Sequence, residues 1–127
     1  MSEFSDFLEE ALLDHLFDEA AYTAPTIYVA LFTDDPGEDG SGTEVSGGSY
    51  ARELLGATTR TANSVVNDAA VDFTTSTASW GTVTHFALYD AVTAGNLLAY
   101  SALDASKTVG IGDTVSFAIG AIAVTLD

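Results

Sequence analysis

The sequence has no cysteine and only three basic residues, Arg52, Arg60 and Lys107. Without cysteine the chain has no disulfide, no cysteine–zinc site and no thiol nucleophile, so these chemistries are excluded. Nineteen Asp and Glu residues give the chain a formal net charge of −16 at pH 7. A surface of this charge repels phosphate groups, and we therefore expect no nucleic-acid partner and no attraction to anionic lipid.

Long apolar runs and a basic leader are also missing. No apolar run approaches the ~20 residues with which a helix crosses a bilayer, so we expect no membrane partner. The N-terminal segment MSEFSDFLEE is acidic, unlike the basic n-region of a signal peptide. The chain has 127 residues, 47% of them apolar and seven of them Phe, which suits one compact domain with a packed core. The acidity therefore does not indicate disorder.

The scarcity of basic residues favours a chain that works in concentrated salt. Molar salt shortens the Debye length to ~3 Å, so repulsion between carboxylates costs little there. Carboxylates also keep a protein surface hydrated and soluble. This composition predicts a halophilic source, or a virus of a halophile, with an ordinary acidic surface protein as the alternative.

Residues 3–19 have the apolar spacing of an amphipathic α-helix. Ser2 is in position to cap its first turn, where Glu3 and Asp6 favour the positive end of the helix dipole. We assign residues 1–22 to this helix and residues 23–127 to a β domain. The apolar stripe must be covered by the chain's own sheet or by a neighbouring subunit. It consists of Phe4, Phe7, Leu8, Ala11, Leu12 and Leu16.

The rest of the chain has the texture of short strands separated by turns. Such spacing is typical of an antiparallel sandwich or barrel. The sequence thus predicts a mainly β fold, an antiparallel β-sandwich of about seven strands with one N-terminal α-helix. We place these strands in residues 26–33, 50–58, 63–74 (around Val71 and Phe73), 79–90, 97–103, 113–119 and 121–126.

No group of residues indicates catalysis. His15 lies on the predicted helix and His85 on a predicted strand, with no spacing that brings them to one metal. The chain has no G-x-S-x-G elbow and no phosphate-binding loop. Carboxylate pairs are so frequent that no single pair stands out as a glycosidase site. We therefore expect no enzymatic activity, no catalytic residues and no cofactor.

The acidic, glycine-rich segment 34–48 is the best candidate for a metal. Asp34, Asp35, Glu38 and Asp39 could form a loose calcium site. The residue at position 12 of a standard calcium loop would be Ser46, so the bidentate Glu of that motif is missing. The alternative is a solvated loop that forms an exposed tip or a docking arm.

Association is the remaining role that the residues favour. The candidate interface consists of Phe4, Leu8, Leu12 and Leu16 on the helix, with Tyr50 and Arg52 at a subunit boundary. Arg52 and Arg60 are scarce cations on an acidic body, and they suit pairing with carboxylates between subunits. Salt bridges within one chain are the alternative for both arginines.

Several blocks of the sequence are similar to a known family. They are FSDFLEEALLDHLF, PTIYVALFTDDP, GSGTEVSGGSYAR, WGTVTHFALYDAVTAGNLLAYSAL and KTVGIGDTVSFAIGAIAVTLD. Together they resemble small virion structural proteins of tailed phages, often labelled phage tail fibre proteins. The resemblance spans nearly the whole chain. It implies a β-sandwich-like fold with a leading helix, many copies in the virion and no enzymatic activity.

We therefore expect a non-enzymatic structural component of a tailed virus particle. Its partners would be copies of itself and other virion proteins, with contact to a host surface as a further expectation. Its station would be the tail fibre or baseplate, or decoration of the head surface. The alternative is a carbohydrate- or calcium-binding β module at a cell surface, which predicts exposed aromatics such as Trp80 or Tyr89 in a groove.

Overall fold

The computed structural model describes residues 2–18 and 20–126. These residues form one α-helix and ten β-strands, all paired antiparallel. The mainly β, sandwich-like fold with one N-terminal helix is confirmed. The elements are β1 (Ser2–Phe4), α1 (Asp6–Phe17), β2 (Tyr28–Phe32), β3 (Glu53–Leu54), β4 (Thr58–Thr61), β5 (Ser64–Asn67), β6 (Val71–Asp72), β7 (Gly81–Tyr89), β8 (Leu97–Val109), β9 (Ser116–Phe117) and β10 (Ala123–Thr125).

A five-stranded sheet in the order β1-β8-β7-β2-β3 forms the centre of the molecule. Its long hairpin, β7 and β8, pairs Phe86 with Ser101 and Gly81 with Val109. Two smaller sheets, β10-β5-β4 and β6-β9, contribute to the core on one side of it. Among the described residues, no helix has the length and apolar character needed to cross a lipid bilayer.

The central sheet is buried on both faces. Alternate residues of a strand point to opposite faces, and in β2 both sets are apolar. Val29 and Leu31 belong to the larger core cluster, which includes Phe117 of β9 and Ile122. The opposite face carries a second cluster, made of Ala30, Phe32, Ala87, Tyr89, Leu97 and Tyr100.

The acidic segment 34–48 covers this second face rather than forming an exposed tip. Its C-terminal part pairs with the end of β2, where the N–H of Val45 donates to the carbonyl of Leu31 at 2.9 Å. Pro36 is fully buried, and Gly40 lies beside Leu97 and Tyr89 of the sheet. The segment therefore turns its backbone and proline inward and leaves Asp34, Asp35, Glu38 and Asp39 exposed.

The helix begins later than predicted. Residues 2–4 form β1 and pair with β8, with Phe4 opposite Ala99, so Ser2 is not the cap. Ser5 caps the helix instead, because its Oγ accepts the N–H of Leu8 at 3.2 Å. The helix ends at Phe17, and the predicted end at residue 19 lies outside the described residues.

Some strands differ from the prediction in length and number. The predicted strand 50–58 is reduced to the two residues of β3, and β8 continues to Val109 instead of ending at residue 103. The hairpin of β4 and β5 was not predicted, because Thr58–Thr61 is polar and exposed at every position. Its turn contains Ala62 at φ 54°, a conformation that a non-glycine residue seldom adopts.

The paired glycines 47 and 48 offer a direct test of how the core constrains the loop. Both have positive φ, 74° and 56°, but only Gly48 lies against the core: a Cβ there would be 2.8 Å from Nε1 of Trp80. We predict that Gly47→Ala costs about 1 kcal/mol from backbone strain alone. Gly48→Ala should cost a further ~1–3 kcal/mol of overpacking. Urea denaturation measures both, and equal losses would show that Trp80 does not restrict this position.

Candidate functional site

Arg52 and Glu44 form a bidentate ion pair inside the domain. The guanidinium donates from Nε to Oε2 and from Nη2 to Oε1, each at 2.8 Å. The Arg52 side chain is 7% exposed and that of Glu44 is 25% exposed. Two parallel charge-assisted bonds in a largely desolvated setting are stronger than a surface salt bridge.

The third guanidinium nitrogen of Arg52, Nη1, bonds to the turn between β7 and β8. Nη1 donates to the carbonyls of Ala91 at 2.9 Å and of Ala94 at 2.7 Å. The guanidinium carbon also lies 3.7 Å from the centre of the Tyr89 ring, a cation–π contact. One side chain thus links the acidic segment, the sheet and the hairpin turn.

Tyr50 completes this network from the core side. Its hydroxyl donates to Oε2 of Glu44 at 2.7 Å and accepts the N–H of Leu31 at 3.0 Å. Its ring packs edge-on against Trp80, with the centroids 5.5 Å apart, and stacks parallel to Phe73 at 6.2 Å. The Tyr50 hydroxyl therefore supplies a hydrogen-bond acceptor for the Leu31 N–H in the buried strand β2.

The pKa shifts of Tyr50, Arg52 and Tyr89 keep the two phenols neutral and the guanidinium charged. Burial raises the pKa of Tyr50 far above its ordinary value, with Glu44 adding to the effect, so the phenol stays neutral. Burial alone would lower the pKa of Arg52, but its bonds and charge attraction to Glu44 outweigh this and raise it. Burial also raises the pKa of Tyr89, although Arg52 opposes that shift. None of these groups is poised to exchange a proton near neutral pH.

Both residues predicted at a subunit boundary therefore make their polar contacts within the chain. The alternative reading of Arg52, a salt bridge within one chain, describes what the structure contains. A boundary role for Tyr50 and Arg52 stays a prediction. Arg60 is exposed on β4 and donates to the carbonyl of Ala62 at 2.8 Å.

The predicted helix stripe divides between the core and the surface. Phe4, which is on β1, and Leu8 are partly buried and pack against the larger core cluster. Leu12 is partly buried, whereas Leu16 is 69% exposed. The chain's own core thus covers Phe4 and Leu8 of the stripe, whereas Phe7, which is 37% exposed, and Leu16 lie in solvent.

Leu13, Leu16 and Phe17 form an exposed apolar surface, which we call the helix-end patch. Their side chains are 57%, 69% and 76% exposed. Spacings of three and four residues place all three on one face of α1. The patch is flanked by acidic residues on the same helix, namely Glu9, Glu10, Asp14 and Asp18. The predicted apolar stripe includes Leu16 but not Leu13 or Phe17, because apolar periodicity does not show where the packing of the helix against the sheet stops.

The carboxylates of the acidic segment are used to shape the loop. Oδ1 of Asp34 accepts the N–H of Thr43 at 2.5 Å, and Oδ1 of Asp35 accepts that of Gly37 at 2.9 Å. Hydrogen bonds from Ser41 lower the pKa of Asp39, whereas repulsion from Asp6 raises the pKa of Glu38. Within residues 2–18 and 20–126, no three acidic or histidine side chains converge to hold a metal. The calcium site stays a prediction without a ligand cluster in the described structure.

Trp80 and Tyr89, which the carbohydrate-binding alternative predicts to be exposed in a groove, are buried. Trp80 is 4% exposed and Tyr89 is 8% exposed, so neither forms a platform for a sugar. The indole N–H of Trp80 donates to the carbonyl of Gly48 at 3.0 Å. That prediction is wrong because both rings fill the space around the Arg52–Tyr50 network.

A groove of about 760 Å³ lies elsewhere, between β8 and the segment of β9 and β10. It forms where β8 bulges: Ala102 pairs with His85 and Lys107 pairs with Val83, so residues 103–106 lie opposite Thr84 alone. Its floor is apolar, with Phe86 and Phe117 among its lining residues. No pattern in the sequence indicates this bulge.

Replacing Arg52 by Lys tests the network. Lysine keeps the charge but cannot form two parallel bonds to Glu44 while donating to both carbonyls. We predict that Arg52→Lys lowers the free energy of unfolding by about 2 kcal/mol in urea denaturation. Arg60→Lys, the same change at an exposed site, should cost less than about 0.5 kcal/mol. Equal small effects at the two positions would contradict the role given to Arg52.

Comparison with known proteins bears on the chain as a whole. None of the curated protein sequences matches it. Residues 3–125, nearly its full length, match the family described as Podophage GP4 fiber I protein gp80. The chain belongs to this family of phage tail fibre proteins, and its location is the virion particle.

Proposed function

We propose that this chain is a non-enzymatic structural component of a tailed virus particle. It assembles through contacts with copies of itself and with other virion proteins, in a station at the tail fibre or baseplate rather than as head-surface decoration. The family match supports a fibre-type station, and contact with a host surface is a further role that fits a fibre protein. The polar groups of Arg52, Glu44 and Tyr50 bond to one another and to the backbone of the same chain. Association with other chains therefore uses the outer surface.

The helix-end patch is the observation that carries this proposal. Three large apolar side chains project together from a chain with a net charge of −16. Exposed apolar side chains gain roughly 25 cal/mol for each Å² that is buried, so covering the patch favours association. A contiguous apolar surface bordered by charged residues is typical of a protein–protein contact. Leu8 packs against the core and the N–H of Ser5 donates to the carbonyl of Leu98 at 2.9 Å, so the start of α1 is anchored and the patch projects from the domain.

Charged substitutions in the patch test its role in assembly. We predict that the double variant Leu16→Glu, Phe17→Glu folds normally but enters particles at least about tenfold less often, because burying two new charges opposes docking. Incorporation is measured by quantitative mass spectrometry of purified particles. The double variant Ile111→Glu, Leu54→Glu is the matched control, since these side chains are 77% and 54% exposed outside α1. Normal incorporation of the double variant would remove the patch from the assembly contact.

We also propose that the fold is adapted to concentrated salt. Among the residues that the structure describes, Glu44–Arg52 is the single ion pair, so most carboxylates have no basic partner. Glu3, Asp6 and Glu9 lie close enough to Glu38 for their repulsion to raise its pKa. Cations at molar concentration screen such repulsion, whereas dilute buffer leaves it at full range.

Salt dependence of stability distinguishes this from an ordinary acidic surface. We predict that the free energy of unfolding in urea rises by several kcal/mol between about 0.1 and 2 M KCl, as carboxylate repulsion is screened. Sucrose at matched osmolarity is the control for general exclusion effects. A fold that is equally stable at both KCl concentrations would contradict the proposed adaptation.

A further inference from the structure

We propose that the helix-end patch of one copy inserts into the β8 groove of a second copy. This inference rests on the proposed structural function and names the partner of the patch. The contact joins two different surfaces, Leu13, Leu16 and Phe17 on one side and the groove between β8 and β9–β10 on the other.

The groove has the size and floor that the patch requires. Its volume of about 760 Å³ has room for several apolar side chains, and it is in the range of sites that enclose small ligands. Phe86, Val115 and Phe117 line the groove. Each is less than a tenth exposed, so together they form a well-packed apolar floor. Ala121, whose side chain is small and exposed, also lines the groove.

Charge complementarity selects a second copy as the occupant. Of the three basic side chains, Arg52 is engaged in the core and Arg60 lies on β4, whereas Lys107 is exposed and lines the groove. Its ammonium donates only at 3.3 Å, to the carbonyl of Thr114. Asp104 also lines the groove, so this surface is near neutral, unlike the rest of the chain. Glu10 and Asp18 on the acidic flank of the patch can therefore pair with Lys107, which is the one of the three basic side chains that lies beside this apolar floor.

The geometry of such a contact is head-to-tail. Patch and groove are different surfaces on each copy, so the contact is heterologous and leaves one free patch and one free groove. Repetition closes a ring or continues as an open chain, according to the rotation between neighbours. Three apolar side chains bury less area than a stable dimer needs, so one contact is weak and many together are strong.

The absence of cysteine allows this contact to be trapped cleanly. Asp14→Cys places a thiol beside the patch, Ala121→Cys places one at the groove, and Thr61→Cys on exposed β4 is the control. Pairs of single-cysteine chains, one of them tagged, are mixed under mild oxidation in KCl that keeps them folded. We predict that the Asp14→Cys and Ala121→Cys pair cross-links at least about tenfold faster than either pairs with Thr61→Cys, because docking raises the effective thiol concentration.

Two outcomes overturn the proposal. Faster cross-linking between two Asp14→Cys chains would show a symmetric patch-to-patch contact. Rates equal to the Thr61→Cys control would show that the groove of a second copy does not receive the patch. Neither outcome affects the particle-incorporation experiment, which tests the proposed function separately.

A charge reversal adds a second arm that does not depend on the cysteine positions. Lys107→Glu in the Ala121→Cys chain should lower the rate of patch–groove cross-linking several-fold at the lowest KCl that keeps the chain folded. Arg60→Glu in the same chain is the matched control, with the same change in net charge, and should leave the rate unchanged. Equal rates for both variants would overturn the electrostatic basis of the contact.

Discussion

The central sheet must be covered on both faces, and the rest of the fold follows from that constraint. Strand β2 carries Val29 and Leu31 on one face and Ala30 and Phe32 on the other, all nearly inaccessible to solvent. The two small sheets supply the cover on one side, and the acidic segment supplies it on the other. A segment rich in Asp and Gly covers an apolar face because Pro36 and the backbone turn inward.

Arg52 fixes that cover in place. The chain uses one of its three basic residues to join Glu44 of the segment to the turn after β7, with Tyr50 bonded to β2 beneath. Desolvating a charge is costly, but here the bidentate pair, two carbonyls and an aromatic face satisfy the guanidinium. The arrangement requires a planar, multiply donating cation, which explains why this position holds arginine in so acidic a chain.

The sequence predicted the parts of the structure that have strong periodicity. Strands β2 and β7 are predictable because each contains a continuous apolar run. The hairpin of β4 and β5 is not, because Thr58–Thr61 is polar at every position and has no hydrophobic pattern. The partner of Arg52 was not predictable, because Glu44 is one of nineteen acidic residues and only the fold brings it near. Likewise, helical spacing places Leu16 on the stripe but does not show that the core reaches only to Leu8.

We propose that this fibre-family protein is a rigid domain that assembles through one projecting apolar helix end. Hydrogen–deuterium exchange, compared between the free chain and purified particles, tests that claim most directly. We predict that the amides of residues 13–17 exchange at least about tenfold more slowly in the particle, because docking suppresses fraying of the helix end. Identical exchange of this segment in both states, with protection gained elsewhere, would contradict the account.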